Sequence, residues 1–195
     1  MTVPRFGVAV LAAGLSSRMG GDNKLLRAYR GLPLVAWAGA AARGCQAQVR
    51  VLVTGRDAAA VADAVGADGG WAIVAMDQQP AALSASLRAA LVAAGAVDAI
   101  CVVLGDMPEI DAALIDRLFA AWVPQAYGVV AHWNGTLGNP VVLGRAAIAD
   151  CMALSGDRGA RALLEANRAR LVLVDGQGAG VLRDLDTPED FSGVS

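Results

Sequence analysis

The stretch FGVAVLAAGLSSRMGGDNK, Phe6 to Lys24, decides how this chain is read. Its first part, Phe6 to Ala12, is nearly all apolar, the pattern of a parallel strand covered on both faces. The remainder turns abruptly polar and glycine-bearing, as a loop beyond a strand end does. The start also has the outline of a secretory signal, with a basic residue, an apolar run and small residues after it. Arg5, however, is the only basic residue ahead of that run, and the run passes straight into Gly14-Leu15-Ser16-Ser17-Arg18-Met19-Gly20. A buried first strand feeding a working loop explains the same residues better.

Val49 to Thr54, Trp71 to Ala75 and Ala99 to Leu104 repeat the apolar pattern of the first strand. Helical patterns separate them. Pro33 stands where a first-turn proline would, ahead of Leu34 to Arg43. Asp57 is placed to cap a helix running to about Val65. Leu83, Leu87, Leu91 and Ala94 recur at helical spacing through Ser84 to Ala94. Leu114, Ile115, Leu118, Phe119 and Trp122 form one stripe over Ile110 to Trp122, with Asp111 as its cap. Strand and helix alternate, which predicts an α/β fold with a mostly parallel sheet and right-handed crossovers. The later third is less regular. Tyr127 to Ala131 and Pro140 to Leu143 read as short strands around a Gly-rich turn, followed by helices at about 145–153 and 157–167 and a strand at Leu171 to Val174. No repeat or Pro/Ser-rich linker divides residues 1–195, so the expectation is one domain with a plainer front (1–110) and an elaborated back half (111–195).

Composition narrows the function classes. The 195 residues carry a formal net charge of -2, with 56% hydrophobic and 17% charged residues. That is too apolar for a disordered chain and too near neutral for a general attraction to nucleic acid or anionic membrane. Asp98 interrupts the longest apolar tract, so no run reaches the roughly 18 residues of a membrane span. Cys45, Cys101 and Cys151 are far apart and show no metal-ligand spacing, which reads as three reduced thiols and a cytoplasmic protein.

In open parallel sheets, ligands bind beyond the carboxyl ends of the strands. Three polar segments are candidates. The first, Ala12 to Lys24, matches neither a Walker loop nor GxGxxG. Its glycines nevertheless expose backbone N–H groups, Arg18 offers a fork of donors to phosphate, and Lys24 is a point charge on a flexible arm. The bland alternative is a loop whose basic side chains are merely solvated. The second is Leu104-Gly105-Asp106-Met107-Pro108, where buried apolar residues end in a carboxylate placed to hold Mg2+. Gly105 would allow close approach of a ligand. Asp106 could instead cap the next helix, but Asp111 is better placed for that. The third is Asp184-Leu185-Asp186-Thr187-Pro188-Glu189-Asp190, whose carboxylates at i and i+2 point the same way in an extended piece, while Thr187 and Pro188 read as a helix start.

LAAGLSSRMGGDNKLL, LGDMP and the late DTPED together resemble the molybdenum cofactor cytidylyltransferases, within the molybdopterin nucleotidyltransferases. ALSASL (Ala82 to Leu87), Gly138-Asn139-Pro140 and SGDRGAR (Ser155 to Arg161) resemble further landmarks of that family, in the expected order over most of the chain. The resemblance implies a Rossmann-like three-layer α/β/α fold, with a nucleotide-binding front half and an acceptor-facing back half. It implies that Leu11, Ala12, Ala13 and Gly14 line the base and ribose, that Ser84 and Ser86 contact the nucleotide, and that Arg18 and Lys24 hold the triphosphate. Asp106 would bind Mg2+ with Asp186 as a second ligand, making Arg18, Lys24 and Asp106 the catalytic set. Gly138, Asn139, Pro140, Asp157 and Arg161 would face the acceptor. Asn139 stands where the family usually has histidine, and Ala82 where glycine is common. The lone histidine, His132, matches no motif and reads as a strand or turn residue.

The implied reaction is transfer of CMP from CTP to the phosphate of a molybdopterin-type acceptor, with release of pyrophosphate. A molybdoenzyme or its chaperone is a candidate recipient of the product. Ala13, where guanylyl-transferring relatives tend to carry glycine, favours CTP over GTP by the space its methyl occupies. Rival readings are a guanylyltransferase of the same cofactor, a sugar-1-phosphate nucleotidyltransferase, a reused fold reducing a small heteroaromatic with NAD(P)H, and a non-catalytic nucleotide carrier.

Overall fold

The computed structural model describes residues 3–14, 23–77, 82–154 and 159–191. The apolar start forms strand β1 (Phe6–Ala12), with successive side chains pointing to opposite faces. Val8, Val10 and Ala12 enter one core; Ala9, Leu11 and Ala13 enter the other. A strand buried on both faces needs a helix layer on each, and the chain supplies them.

A short hairpin, β2 (Ala28–Tyr29) and β3 (Leu32–Pro33), leads into helix α1 (Leu34–Gly44). Then follow β4 (Val49–Thr54), α2 (Ala58–Val65), β5 (Trp71–Ala75), α3 (Leu83–Ala94), β6 (Ala99–Leu104) and α4 (Ala112–Ala121). The back half adds β7 (Gly128–Trp133), β8 (Thr136–Gly144), α5 (Arg145–Met152), α6 (Arg161–Ala166) and β9 (Leu171–Asp175). Helices α1, α2 and α4 cover one face of the sheet; α3, α5 and α6 cover the other. The result is a three-layer α/β/α fold.

The large sheet has the order β5-β4-β1-β6-β8-β7-β9. β5, β4, β1 and β6 run parallel; β8 is antiparallel to both β6 and β7, and β9 returns parallel to β7. From β1 the chain first builds outward through β4 and β5, then crosses back to place β6 on the other side. The strand order therefore reverses between β1 and β6, and the two connections leave a crevice at their carboxyl ends.

Several local expectations are corrected. Asp57 precedes α2 but sits in the left-handed region at φ 56 and makes no capping bond; its carboxylate accepts from Asn23 Nδ2 at 3.3 Å instead. Pro33 occupies the cap position of α1, one residue before the first turn. Gly138-Asn139-Pro140 lies within the nine-residue β8, with a cis Asn139–Pro140 bond, and is not a turn. The turn is Asn134-Gly135, where φ is positive at both residues, as a two-residue hairpin requires. Of the second back-half helix expected at about 157–167, the described residues show α6 over Arg161–Ala166, and residue 157 lies outside them. Asp111 does cap α4, its carboxylate accepting from Leu114 N at 2.8 Å. No described helix is long and apolar enough to cross a membrane.

All three cysteines are free and buried, and burial pushes each thiol up, Cys151 to about 11. A native sample at pH 8 should therefore react with a thiol reagent only slowly, and three thiols should titrate rapidly once the protein is unfolded in denaturant.

Candidate functional site

The crevice between β1 and β6 receives the chain from three directions. β1 ends at Ala12, and Ala12, Ala13 and Gly14 line a cleft together with Leu11, Ser86 and Leu104. β6 delivers Asp106 two residues past its end. The carboxyl-terminal segment delivers Asp184 and Asp186, which flank a fully buried Leu185.

Lys24 joins these segments. Its Nζ lies 2.7 Å from Asp106 Oδ2, 2.6 Å from Asp186 Oδ1 and 2.9 Å from the Leu185 carbonyl, donating to each. Local structure holds the lysine backbone in place. Asn23 caps the 3-10 turn Lys24–Leu26, its side chain accepting from Leu25 N at 3.1 Å, while its amide donates to the Arg56 carbonyl. Burial of the Lys24 amine works against its charge, but the Asp106 and Asp186 carboxylates outweigh that and hold the amine above its ordinary value.

The carboxyl-terminal segment is fastened to the post-β6 loop by its backbone as well. Leu185 N donates to the Asp106 carbonyl at 3.1 Å, and Arg183 pairs with Glu109 at 3.0 Å. Further along, the Arg27 guanidinium lies 4.8 Å from the Phe191 ring centroid. Between these ties Asp190 Oδ2 accepts from Asp186 N, Thr187 N and the Thr187 hydroxyl at 2.9, 2.8 and 3.0 Å. The helix start expected at Thr187 is a short 3-10 turn, Pro188–Phe191, and Asp190 reaches back to it as in a capping box.

Asp106, Asp184 and Asp186 each offer an oxygen, and these lie within 4.8 Å of one another. Asp184 was not among the metal ligands expected from the sequence, although the i, i+2 spacing with Asp186 signalled it. The donor set suits a small hard divalent cation: three carboxylates, with no thiol or imidazole among them.

The other expected site residues divide. Ser86 lines the cleft and Ser84 is buried on the same turn of α3. Asn139 and Arg161 line a second, more polar pocket with Thr136 and Asp184, and the two pockets share Leu104. Gly138 serves packing: a Cβ there would lie 2.2 Å from the Val181 carbonyl, so the glycine lets the 3-10 turn Ala179–Leu182 close against β8. Pro140 is buried within the same strand. Gly105 likewise faces the protein, since a Cβ would meet the Leu11 carbonyl at 3.2 Å, and not a ligand as expected. His132 lies on β7, and its buried Nδ1 has no hydrogen-bond partner among the described residues. Arg18 and Asp157 lie outside the described residues.

Comparison with known proteins bears on this arrangement. The family model for the MobA-like NTP transferase domain matches residues 8–171. No curated protein matches the chain. Among solved structures, Rv0371c from Mycobacterium tuberculosis is similar at a TM-score of 0.81 and 29% identity, over 98% of this chain and 97% of that one. Rv0371C in complex with manganese is similar at a TM-score of 0.75 and 26% identity, over 97% of each chain. A nucleotidyl transferase from Methanothermobacter shares the fold at a TM-score of 0.80 and 23% identity, over 96% of this chain and 94% of that one.

The Asp190 clamp has a pH signature. Hydrogen bonds from the backbone N–H groups of Thr187 and Asp186, and from the Thr187 hydroxyl, hold its carboxyl below the usual 3.8. A depressed carboxyl contributes stability above its unfolded value and loses it as pH falls through the folded one. Asp190→Ala should therefore lower stability in urea titrations at pH 7, and the difference from wild type should vanish in strong acid, below the folded value.

Proposed function

Because the chain belongs to the MobA-like NTP transferase domain family and is a nucleotidyltransferase, we propose that it transfers CMP from CTP to the phosphate of a molybdopterin-type acceptor, with Mg2+ as its metal. The observation that carries this reading is the meeting of Lys24, Asp106 and Asp186 beside the cleft lined by Ala12, Ala13 and Gly14. The base and ribose lie against the β1 end, and the triphosphate extends toward Lys24. Arg18, six positions before Lys24 in the sequence, would add its fork of donors to the phosphates. The acceptor enters from the pocket of Asn139 and Arg161, where the guanidinium is a partner for an anionic group.

In the reaction an oxygen of the acceptor phosphate attacks the α-phosphorus and pyrophosphate leaves. Both reactants are anions, so cationic stabilisation outweighs general-base help. The acceptor phosphate is already ionised at neutral pH, which suits a pocket that presents the Asn139 amide in place of an imidazole. Lys24 offsets charge gathering on the leaving pyrophosphate. Asp106 and Asp186, with Asp184, would hold a Mg2+ that neutralises and orients the α-phosphate. The manganese complex of the mycobacterial relative supports a divalent metal in this role. The preference for CTP over GTP rests on Ala13, which lines the cleft where guanylyl-transferring relatives tend to carry glycine, and one methyl discriminates by about 1–3 kcal/mol. The three free thiols fit the reducing cytoplasm.

With Mg2+ and the pterin acceptor, pyrophosphate release should be faster from CTP than from GTP, and hexose 1-phosphates should not replace the acceptor. Equal or reversed nucleotide rates discard the cytidylyl assignment. Asp106→Asn keeps the shape of the side chain and removes its charge. It should lower turnover by roughly 100-fold or more, with circular dichroism unchanged; near-normal turnover removes Asp106 from the site.

A further inference from the structure

Lys24 is the only lysine in the chain; every other permanently cationic side chain is an arginine. An arginine would serve a triphosphate well, through its planar fork. A guanidinium cannot act as a compact point charge inside a small cage of oxygens. The Lys24 ammonium does so, with Asp106 Oδ2, Asp186 Oδ1 and the Leu185 carbonyl at 2.6–2.9 Å around it. These oxygens meet the donors of an ammonium, and while it holds them they are not available as ligands to a hard divalent cation. Two of the three belong to the carboxylates that, with Asp184, form the candidate metal set.

We propose that Lys24 is a resident cation that occupies the carboxylate cage until a metal–nucleotide complex arrives, and that it then exchanges places with the metal and moves onto the triphosphate. This rests on the nucleotidyl-transfer reading above. The physical ground is competition. Two cations cannot share the same carboxylate oxygens without strong mutual repulsion. A bare divalent ion must strip the ammonium from its partners and offers it nothing in return. A metal–nucleotide complex brings the displaced ammonium a new set of anionic oxygens. The exchange therefore favours the complex over the bare ion, which binds the cage more weakly.

The surroundings suit a swap confined to the side chain. The Lys24 backbone is pinned by the Asn23 cap, and the Asp186 backbone by Asp190. The carboxylates stay in place while the amine, on its four-carbon stem, changes partners.

The test measures binding of Mn2+ alone, by electron paramagnetic resonance, to the full chain and to Lys24→Met and Lys24→Gln. Removal of a competing unit charge should tighten Mn2+ binding by about tenfold or more in both variants. Wild type should be raised in unfolding temperature by Mn2+ with CTP and hardly by Mn2+ alone, whereas Lys24→Met should be raised by Mn2+ alone. If Lys24→Met folds poorly because Asp106 and Asp186 repel, Mn2+ alone should restore its folding. Equal or weaker Mn2+ binding in the variants, or no metal-dependent recovery of folding, overturns the exchange. Because this readout needs no turnover, wild type that transfers CMP normally while failing here sinks the exchange alone. Absence of CTP transfer with the exchange intact sinks the nucleotidyl reading alone.

Discussion

A single ammonium group, placed between two carboxylates from distant parts of the chain, organises the carboxyl-terminal side of this molecule. Lys24 reaches Asp106 across 82 positions of sequence and Asp186 across 162. Removing one partner from a buried charge pair costs about 3–5 kcal/mol, because the other charge is left in poor solvent. That magnitude applies better to Asp106, whose side chain is 20% exposed, than to Asp186, which at 40% exposed is partly screened by water. The pair with Asp106 is thus the anchor, and Asp186 is the more readily exchanged partner. Asp190 compensates by holding the Asp186 backbone, so that the position of the carboxylate does not depend on the ion pair alone.

The fold makes this meeting possible through the reversal of strand order between β1 and β6. Parallel strands joined by right-handed crossovers must leave a gap where the winding changes direction, and the loops that follow both strands line it. The antiparallel back half then adds a second wall. β8 pairs with β6 and carries Asn139 toward the neighbouring pocket, while Gly138 lets the Ala179–Leu182 turn close down beside it. The chain leaves that turn already directed at the crevice, and Asp184 and Asp186 arrive there with Leu185 buried between them. Two adjoining pockets sharing Leu104 suit a reaction that joins two anionic partners, with the carboxylate cluster near their boundary.

The parts of the fold that were legible in the sequence are those with a local signature. The largely apolar runs at Phe6, Val49, Trp71 and Ala99 became strands at the expected bounds. β1 and β6 are apolar because both their faces are covered, whereas β4 admits Arg50 near its start and the edge strand β5 is largely exposed. The stripe ending at Trp122 became α4 with Asp111 as its cap. Failures came where geometry overrides residue type. Asp57 has a capping side chain, but its left-handed backbone turns that side chain toward Asn23. The family's Gly-His-Pro landmark is a turn, yet here β8 runs through Gly138-Asn139-Pro140, flanked by paired residues at Leu137 and Val141 with a register shift between them.

By itself the sequence determined which segments are strands and helices, and that polar, charge-bearing loops follow the first and fourth long strands. Burial has a period, two for strands and 3.6 for helices, and a period is written in neighbouring residues. Only the tertiary structure decided that Lys24 would be caged by Asp106, Asp186 and the Leu185 carbonyl, that Asp184 would join the carboxylate set, and that Gly105 and Gly138 would face protein. Those outcomes depend on which strands lie side by side and how closely a late turn packs on the sheet. Contacts between residues this far apart in sequence, such as Lys24 with Asp106 and Asp186, leave no periodic trace along the chain.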